Sequence, residues 1–172
     1  MAKLEEAVKQ LKNDKAPSPG DFTTNFFHAC LSTIKEEVLD IVEEFWKTSK
    51  ILKYFNSTFL TLIPKENGAD SASKFQPVAL CNVIFKIITK TISNRLKTIL
   101  SNLVPKEQSG YIECRQILDG IILSHEIIHS LKDTKKVSML IKLDLSKSFD
   151  KLKWDFMKKI LKAFGFCDQW VS

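Results

Sequence analysis

Apolar residues along the chain follow two different periods, one typical of helices and one typical of strands. Spacings of three and four residues predict five helices, over residues 1–14, 26–45, 82–104, 115–132 and 154–164. Residues 57–63 and 137–144 are instead rich in β-branched and apolar side chains, so both predict strands, the second of them buried. The pattern therefore predicts an α/β fold in which helices predominate.

Prolines, glycines and polar runs separate these segments. Residues 15–21 contain two prolines and a glycine, which end the first helix. The polar residues 65–74 form a loop after the first strand. Residues 75–80 predict a second strand at a sheet edge, because Pro77 has no N–H for a ladder hydrogen bond. Together the two strands predict a hairpin.

Length and charge point to one folded domain with a polyanionic partner. A chain of 172 residues with 44% hydrophobic and 27% charged residues can bury a sizeable core. The formal net charge of +6 attracts phosphates. The cations are 24 lysines and only two arginines, Arg95 and Arg115. Because lysine is a mobile point charge, this composition favours contacts to a phosphate backbone over reading of bases.

The cysteines and the hydropathy indicate an intracellular chain. The four cysteines never form the close pairs that zinc sites need, so we expect free, reduced thiols. The N-terminal residues 1–14 lack the apolar core of a signal peptide, and no run of 18 apolar residues occurs. We therefore expect no membrane partner, while nucleus and cytoplasm are not distinguished.

Two short patterns carry candidate chemistry. Asp144 stands at the end of the predicted strand 137–144, where a carboxylate and nearby carbonyls suit a hard cation such as Mg²⁺. A turn or a helix cap uses an aspartate at such a position equally well. Residues 125–129 read HEIIH, which matches a zinc-binding pattern, but the sequence offers no third ligand for it.

Five blocks in a fixed order resemble those of the reverse transcriptases of LINE-type (non-LTR) retroelements. They are KAPSPGDF at 15–22, LIPK at 62–65, FQPVALCNVIFKIITK at 75–90 with NRLK at 94–97, QSGY at 108–111 with RQILD at 115–119, and LDLSKSFD at 143–150. The resemblance covers almost the whole chain, and the wording of the blocks is most similar to plant elements. Five ordered blocks are a far more specific signal than any one of them.

This resemblance implies a partial right-hand polymerase fold. Residues 1–136 would form N-terminal helices and a fingers subdomain, with the hairpin packed by two long helices. Residues 137–172 would begin the palm, with its first strand and the following helix. The family is an RNA-directed DNA polymerase that uses an RNA template, a DNA primer, deoxynucleoside triphosphates and Mg²⁺.

The resemblance also assigns site residues. Asp144 corresponds to the first metal-binding aspartate of the palm, and the carbonyl of Leu145 would lie beside the same ions. Phe149 corresponds to the aromatic ring that closes the sugar side of the nucleotide pocket, although a core phenylalanine is the ordinary alternative. Lys65 lies where the family places basic contacts to the triphosphate, although a solvated loop lysine fits equally. Gln76 stands where the family has an arginine that grips the triphosphate.

Two departures from the family pattern lower the expected activity. Gln76 can donate a hydrogen bond but cannot neutralise a phosphate, and Cys114 replaces the glycine of a G-R-Q motif. No block resembles the second palm motif with its paired aspartates, so we expect a truncated polymerase fragment that is inactive alone. With palm strands lacking, the edges of strand 137–143 would be unpaired and the C-terminal third marginally stable or prone to association. The alternatives are a non-specific nucleic-acid-binding remnant and a pseudogene product without a selected function.

Overall fold

The computed structural model describes residues 2–13, 19–20, 22–134, 139, 141–143 and 151–171. Within them the α-helices are α1 (Ala2–Lys9), α2 (Thr24–Thr48), α3 (Val83–Leu103), α4 (Ile117–Asp133), α5 (Trp154–Ala163) and α6 (Asp168–Val171). The strands are β1 (Thr58–Pro64) and β2 (Phe75–Cys81), and a short 3-10 helix, Ala72–Lys74, lies between them. The chain divides into two compact units, Met1–Arg95 and Leu96–Ser172. The fold is helix-rich with a small two-stranded sheet, which confirms the predicted class of partial polymerase fold.

The core of the first unit is formed where the apolar faces of three helices meet. Its buried members come from α1, α2 and α3, and they are Leu4, Val8, Phe27, Val38, Val42, Val83, Ile84, Ile87 and Ile88. On α2 the opposite face carries five exposed acids, Glu36, Glu37, Asp40, Glu43 and Glu44. This separation of apolar and acidic faces is the amphipathic pattern that the sequence predicts.

The two strands form an antiparallel hairpin. Thr58 pairs with Cys81 at its open end and Pro64 with Phe75 at its tip. All seven positions of β1 are exposed, so long helices do not cover this strand within the described part of the chain, whereas β2 is half-buried at Phe75, Val78, Leu80 and Cys81. β1 is apolar on both faces, and such a pattern predicts a strand without saying which neighbour buries it.

The N-terminus of α3 is fixed by Asn82, which is buried. Its Oδ1 accepts a hydrogen bond of 2.9 Å from the N–H of Ile84, a backbone donor that has no partner inside the helix. Its Nδ2 donates to the carbonyl of Pro19 at 2.8 Å, so the same side chain also holds residues 19–20. The start of α3 is thereby tied to a segment more than sixty residues earlier.

The second unit exposes most of its apolar side chains. Neither α4 nor α5 has a buried residue among those described, and Trp154 is 80% exposed. At the end of the unit α5 contacts α6. The ring of Phe166, which lies between the two helices in the sequence, is 5.7 Å from the ring of Trp170 on α6. The marginal stability or association expected of the C-terminal third stays a prediction.

One predicted strand is wrong in its described residues. Met139 and residues 141–143 belong to no strand, and Met139, Ile141 and Leu143 are 82%, 66% and 84% exposed. A buried strand needs hydrogen-bonded neighbours on its edges, and the only sheet among the described residues is the hairpin. Local sequence therefore predicted a strand for which the described chain supplies no partner.

The other predicted elements are confirmed, with ends that differ from the prediction by at most five residues. The largest difference is in α1, which ends at Lys9. The four cysteines are free thiols, as expected. Among the described residues, no helix combines the length and the apolar composition that crossing a bilayer requires.

Candidate nucleotide and nucleic-acid site

The tip of the hairpin brings two of the predicted pocket residues onto one face. Gln76 pairs with Ile63, and the next pair on that face is Lys65 with Lys74, joined by a 2.8 Å hydrogen bond from the Lys65 N–H to the Lys74 carbonyl. Since paired residues and residues two apart share a face of a strand, Lys65 and Gln76 lie diagonally on the same side. Both side chains are exposed.

The charges at the tip nearly cancel. Lys74 lies 3.0 Å from Glu66 and 2.9 Å from Asp70. Hydrogen bonding to Asp70, and then to Glu66, raises the pKa of Lys74, and the bond from Lys74 lowers the pKa of Asp70. Lys65 donates to the Ser73 carbonyl at 3.4 Å and has no ion-pair partner among the described residues. With two ammonium groups and two carboxylates, the described tip has no net charge, and Lys65 is the cation there that holds no carboxylate.

Two lysines on α3 form a small basic stripe. Lys86 and Lys90 are four residues apart, so they project from the same face one turn from each other. The stripe flanks the buried face of α3 that contains Ile87 and Ile88. Both lysines are half-buried, and neither has an ion-pair partner within the described part of the chain, so their two positive charges are not compensated there.

Arg95, the arginine of the NRLK block, is directed elsewhere. It is half a helical turn away from the lysine stripe on α3. Its guanidinium carbon lies 4.0 Å from the ring centroid of Trp46 on α2, which is a cation–π geometry. This contact joins two helices of the first unit, and no sequence pattern predicted it.

Three predicted site residues, Asp144, Leu145 and Phe149, lie outside the described residues. Within the described ranges no three acidic, imidazole or thiol side chains come together as a metal site would need. The described residues therefore do not themselves fit a two-metal centre. His125 and His129 are both on α4, and Nδ1 of His129 lies 3.1 Å from Asp133.

Gly20 and Cys114 have backbone conformations that change the interpretation of the family blocks. Gly20 has φ of 101°, and a Cβ there would lie 2.8 Å from Nδ2 of Asn82. Glycine is thus required at position 20 by the close approach of Asn82. Cys114 has φ of 64°, a left-handed conformation that glycine adopts without strain. Cys114 therefore stands at a position where the family's G-R-Q motif has the residue that suits this backbone conformation.

Comparison with known proteins gives concordant results. A model of the family described as reverse transcriptase (RNA-dependent DNA polymerase) matches residues 63–172. An uncharacterized 149 kDa protein of transposon TX1 from Xenopus laevis is 26% identical over 169 residues, which are 98% of this chain and 13% of that protein. A retrovirus-related Pol polyprotein from type-1 retrotransposable element R2 of Popillia japonica is 23% identical over 105 residues, which are 61% of this chain and 14% of the polyprotein. The chain spans a small part of the length of both relatives.

Proposed function

We propose that this chain, which belongs to the reverse transcriptase (RNA-dependent DNA polymerase) family, supplies the fingers and the start of the palm to the polymerase of a LINE-type (non-LTR) retrotransposon. The observation that carries the proposal is the family match over 63–172, a range that begins in β1 and includes the tip of the hairpin and all of α3. Residues 1–136 are the proposed fingers with their N-terminal helices, and residues 137–172 the proposed start of the palm.

The proposed ligand of the first unit is the phosphate backbone of an RNA template paired with a DNA primer. Lys86 and Lys90 present two uncompensated charges on α3, whereas the exposed face of α2 is acidic and repels a polyanion. An incoming deoxynucleoside triphosphate would lie at the hairpin tip, beside Lys65 and Gln76. Since Gln76 carries no charge, we expect weak binding of the triphosphate there.

Reverse transcriptases use divalent metal ions, and the proposed ligands here are Asp144 and the carbonyl of Leu145, with Mg²⁺ as the ion. Phe149 is the proposed ring at the sugar side of the nucleotide. The sequence of 172 residues contains no two adjacent aspartates. We therefore propose that the chain binds nucleic acid but does not synthesise DNA by itself.

Binding is tested by fluorescence anisotropy with a labelled RNA–DNA primer–template over a range of salt concentrations. The logarithm of the association constant should fall linearly with the logarithm of salt concentration. The double substitution Lys86→Gln and Lys90→Gln should make that slope shallower by about 1.5, because each neutralised phosphate contributes about 0.7–0.9. Lys47→Gln is the matched control, because Lys47 is exposed on the acidic helix α2 and should leave the slope unchanged.

Two results would contradict the proposal. Equal slopes for the double variant and the wild type would remove α3 from the interface. Primer extension that depends on the template, and that Asp144→Asn abolishes, would refute the inactivity of the isolated chain while supporting Asp144 as a site residue.

A second candidate is a nucleic-acid-binding remnant without preference for a primer terminus, and the lysine-dominated net charge of +6 favours it. Competition separates the two candidates. A polymerase fragment should prefer the primer–template to blunt duplex and to single-stranded RNA of equal length, whereas a non-specific remnant should bind all three according to charge density.

A further inference from the structure

Arg115 closes the C-terminal end of α3. Its guanidinium donates to the carbonyls of Gln108 at 2.7 Å, Val104 at 3.0 Å and Ser101 at 3.1 Å, and also to the carbonyl of Pro105. All five residues belong to the second unit. One planar side chain therefore hydrogen-bonds both the end of the helix and the turn that follows it.

The end of α3 needs hydrogen-bond donors for its last carbonyl groups. The last carbonyls of a helix have no intrahelical partner and carry the negative end of the helix dipole. The fixed fork of a guanidinium donates several hydrogen bonds in one plane, which the ammonium of a lysine cannot do. A weaker contact supports the same turn, since Nζ of Lys97 on α3 lies 3.5 Å from Oε1 of Glu113 and both are exposed.

The residues after Arg115 begin the next helix. Gln116 is the N-cap of α4 and shares a reciprocal capping box with Asp119, whose Oδ2 accepts from the Gln116 N–H at 3.1 Å. Just before them, Cys114 turns the backbone through the left-handed region. Within the block at 115–119, Arg115 therefore caps the C-terminal end of α3, and Gln116 and Asp119 cap the N-terminal end of α4.

We propose that Arg115 is an intramolecular clamp that joins the end of α3 to the start of α4. We further propose that lysines, and not arginines, contact the phosphates of the nucleic acid. Arg95, the other arginine, packs on Trp46 within the first unit. Both arginines of this chain are thereby engaged with the protein itself. The second half of the proposal rests on the proposed nucleic-acid function, whereas the clamp does not.

Amide hydrogen exchange on the full chain tests the clamp directly. The reporters are the N–H groups of Gln108 and Asp119, which donate to the carbonyls of Pro105 and Gln116 at 3.2 Å each. Arg115→Lys keeps the charge but loses the planar set of donors. Because hydrogen bonds to a charged group contribute more stability than bonds between neutral groups, we expect both amides to exchange at least about tenfold faster. Lys106→Gln removes a charge from the same exposed turn and should leave both rates unchanged.

The salt dependence of primer–template binding tests the second half. Arg115→Lys and Arg115→Gln should both keep the wild-type slope. If Arg115→Lys exchanges like the wild type while Arg115→Gln makes the slope shallower by about 0.7, Arg115 is a phosphate contact and the proposal is overturned. Should Arg115→Gln not fold, the lysine variant decides alone, because a phosphate contact tolerates lysine and the clamp does not. If no variant binds nucleic acid, the proposed function fails, and the exchange rates still decide the clamp.

Discussion

Replacing Cys114 by glycine should stabilise the protein. Cys114 has φ of 64°, where the Cβ of an L-residue comes too close to the backbone, at a cost of about 1–2 kcal/mol. The side chain is exposed, so its removal sacrifices no packing. Glycine loses more backbone entropy on folding, which offsets about 0.5–1 kcal/mol of the gain. The free energy of unfolding should therefore rise by up to about 1.5 kcal/mol.

Urea unfolding followed by far-UV circular dichroism, in a reducing buffer, measures this change. The midpoint should rise while the slope of the unfolding free energy against urea stays constant, since the exposed surface on unfolding is the same. Cys114→Ala is the control at the same position, because it removes the thiol but keeps the Cβ and should change the free energy by less than about 0.5 kcal/mol. A loss of stability in Cys114→Gly, or an equal gain in Cys114→Ala, would refute the assignment of strain to the Cβ.

Three further predictions concern the first unit. Asn82→Ala should lower the free energy of unfolding by about 2–3 kcal/mol, because it removes a helix cap and leaves a backbone carbonyl unpaired, and Gly20→Ala should also destabilise through the 2.8 Å contact. Asn102→Ala on the exposed end of α3 is the control, and an equal loss there would contradict the assigned role of Asn82. The pKa of Asp70 is lowered in the folded chain, so its bond to Lys74 contributes stability above the unfolded pKa and loses it as pH falls below about 4. An NMR titration of the Asp70 carboxyl should show this low pKa, and Lys74→Gln should raise it; an unchanged pKa would contradict the pairing.

Sequence periodicity predicted the helices well because their hydrogen bonds and apolar faces are local. The spacing of Ile84, Ile87 and Ile88 already defines the buried side of α3. The sequence also predicted the hairpin, because two short strand patterns flank a polar loop and Pro77 is tolerated at a sheet edge. The strand at 137–144 failed in its described residues because a strand depends on a partner elsewhere in the chain, which apolar composition does not supply.

The candidate site was predictable only where a family block named it. Lys65 and Gln76 came from the resemblance, and the register of the hairpin then placed them on one face. The clamp by Arg115 could not be predicted, because its partners are backbone carbonyls, which carry no signal in the sequence. The sequence showed that Cys114 replaces a family glycine, but the left-handed backbone at this position became evident only in the structure.

Lysine reactivity, measured residue by residue with and without an RNA–DNA primer–template, tests the central claim most directly. Acetylation by a small reagent, read by mass spectrometry, reports whether bound nucleic acid covers each ammonium group. We predict protection of Lys86 and Lys90 and unchanged reactivity of Lys47 on the acidic helix α2. Protection of Lys47 without protection of the α3 stripe, or no protection at all under binding conditions, would contradict the account.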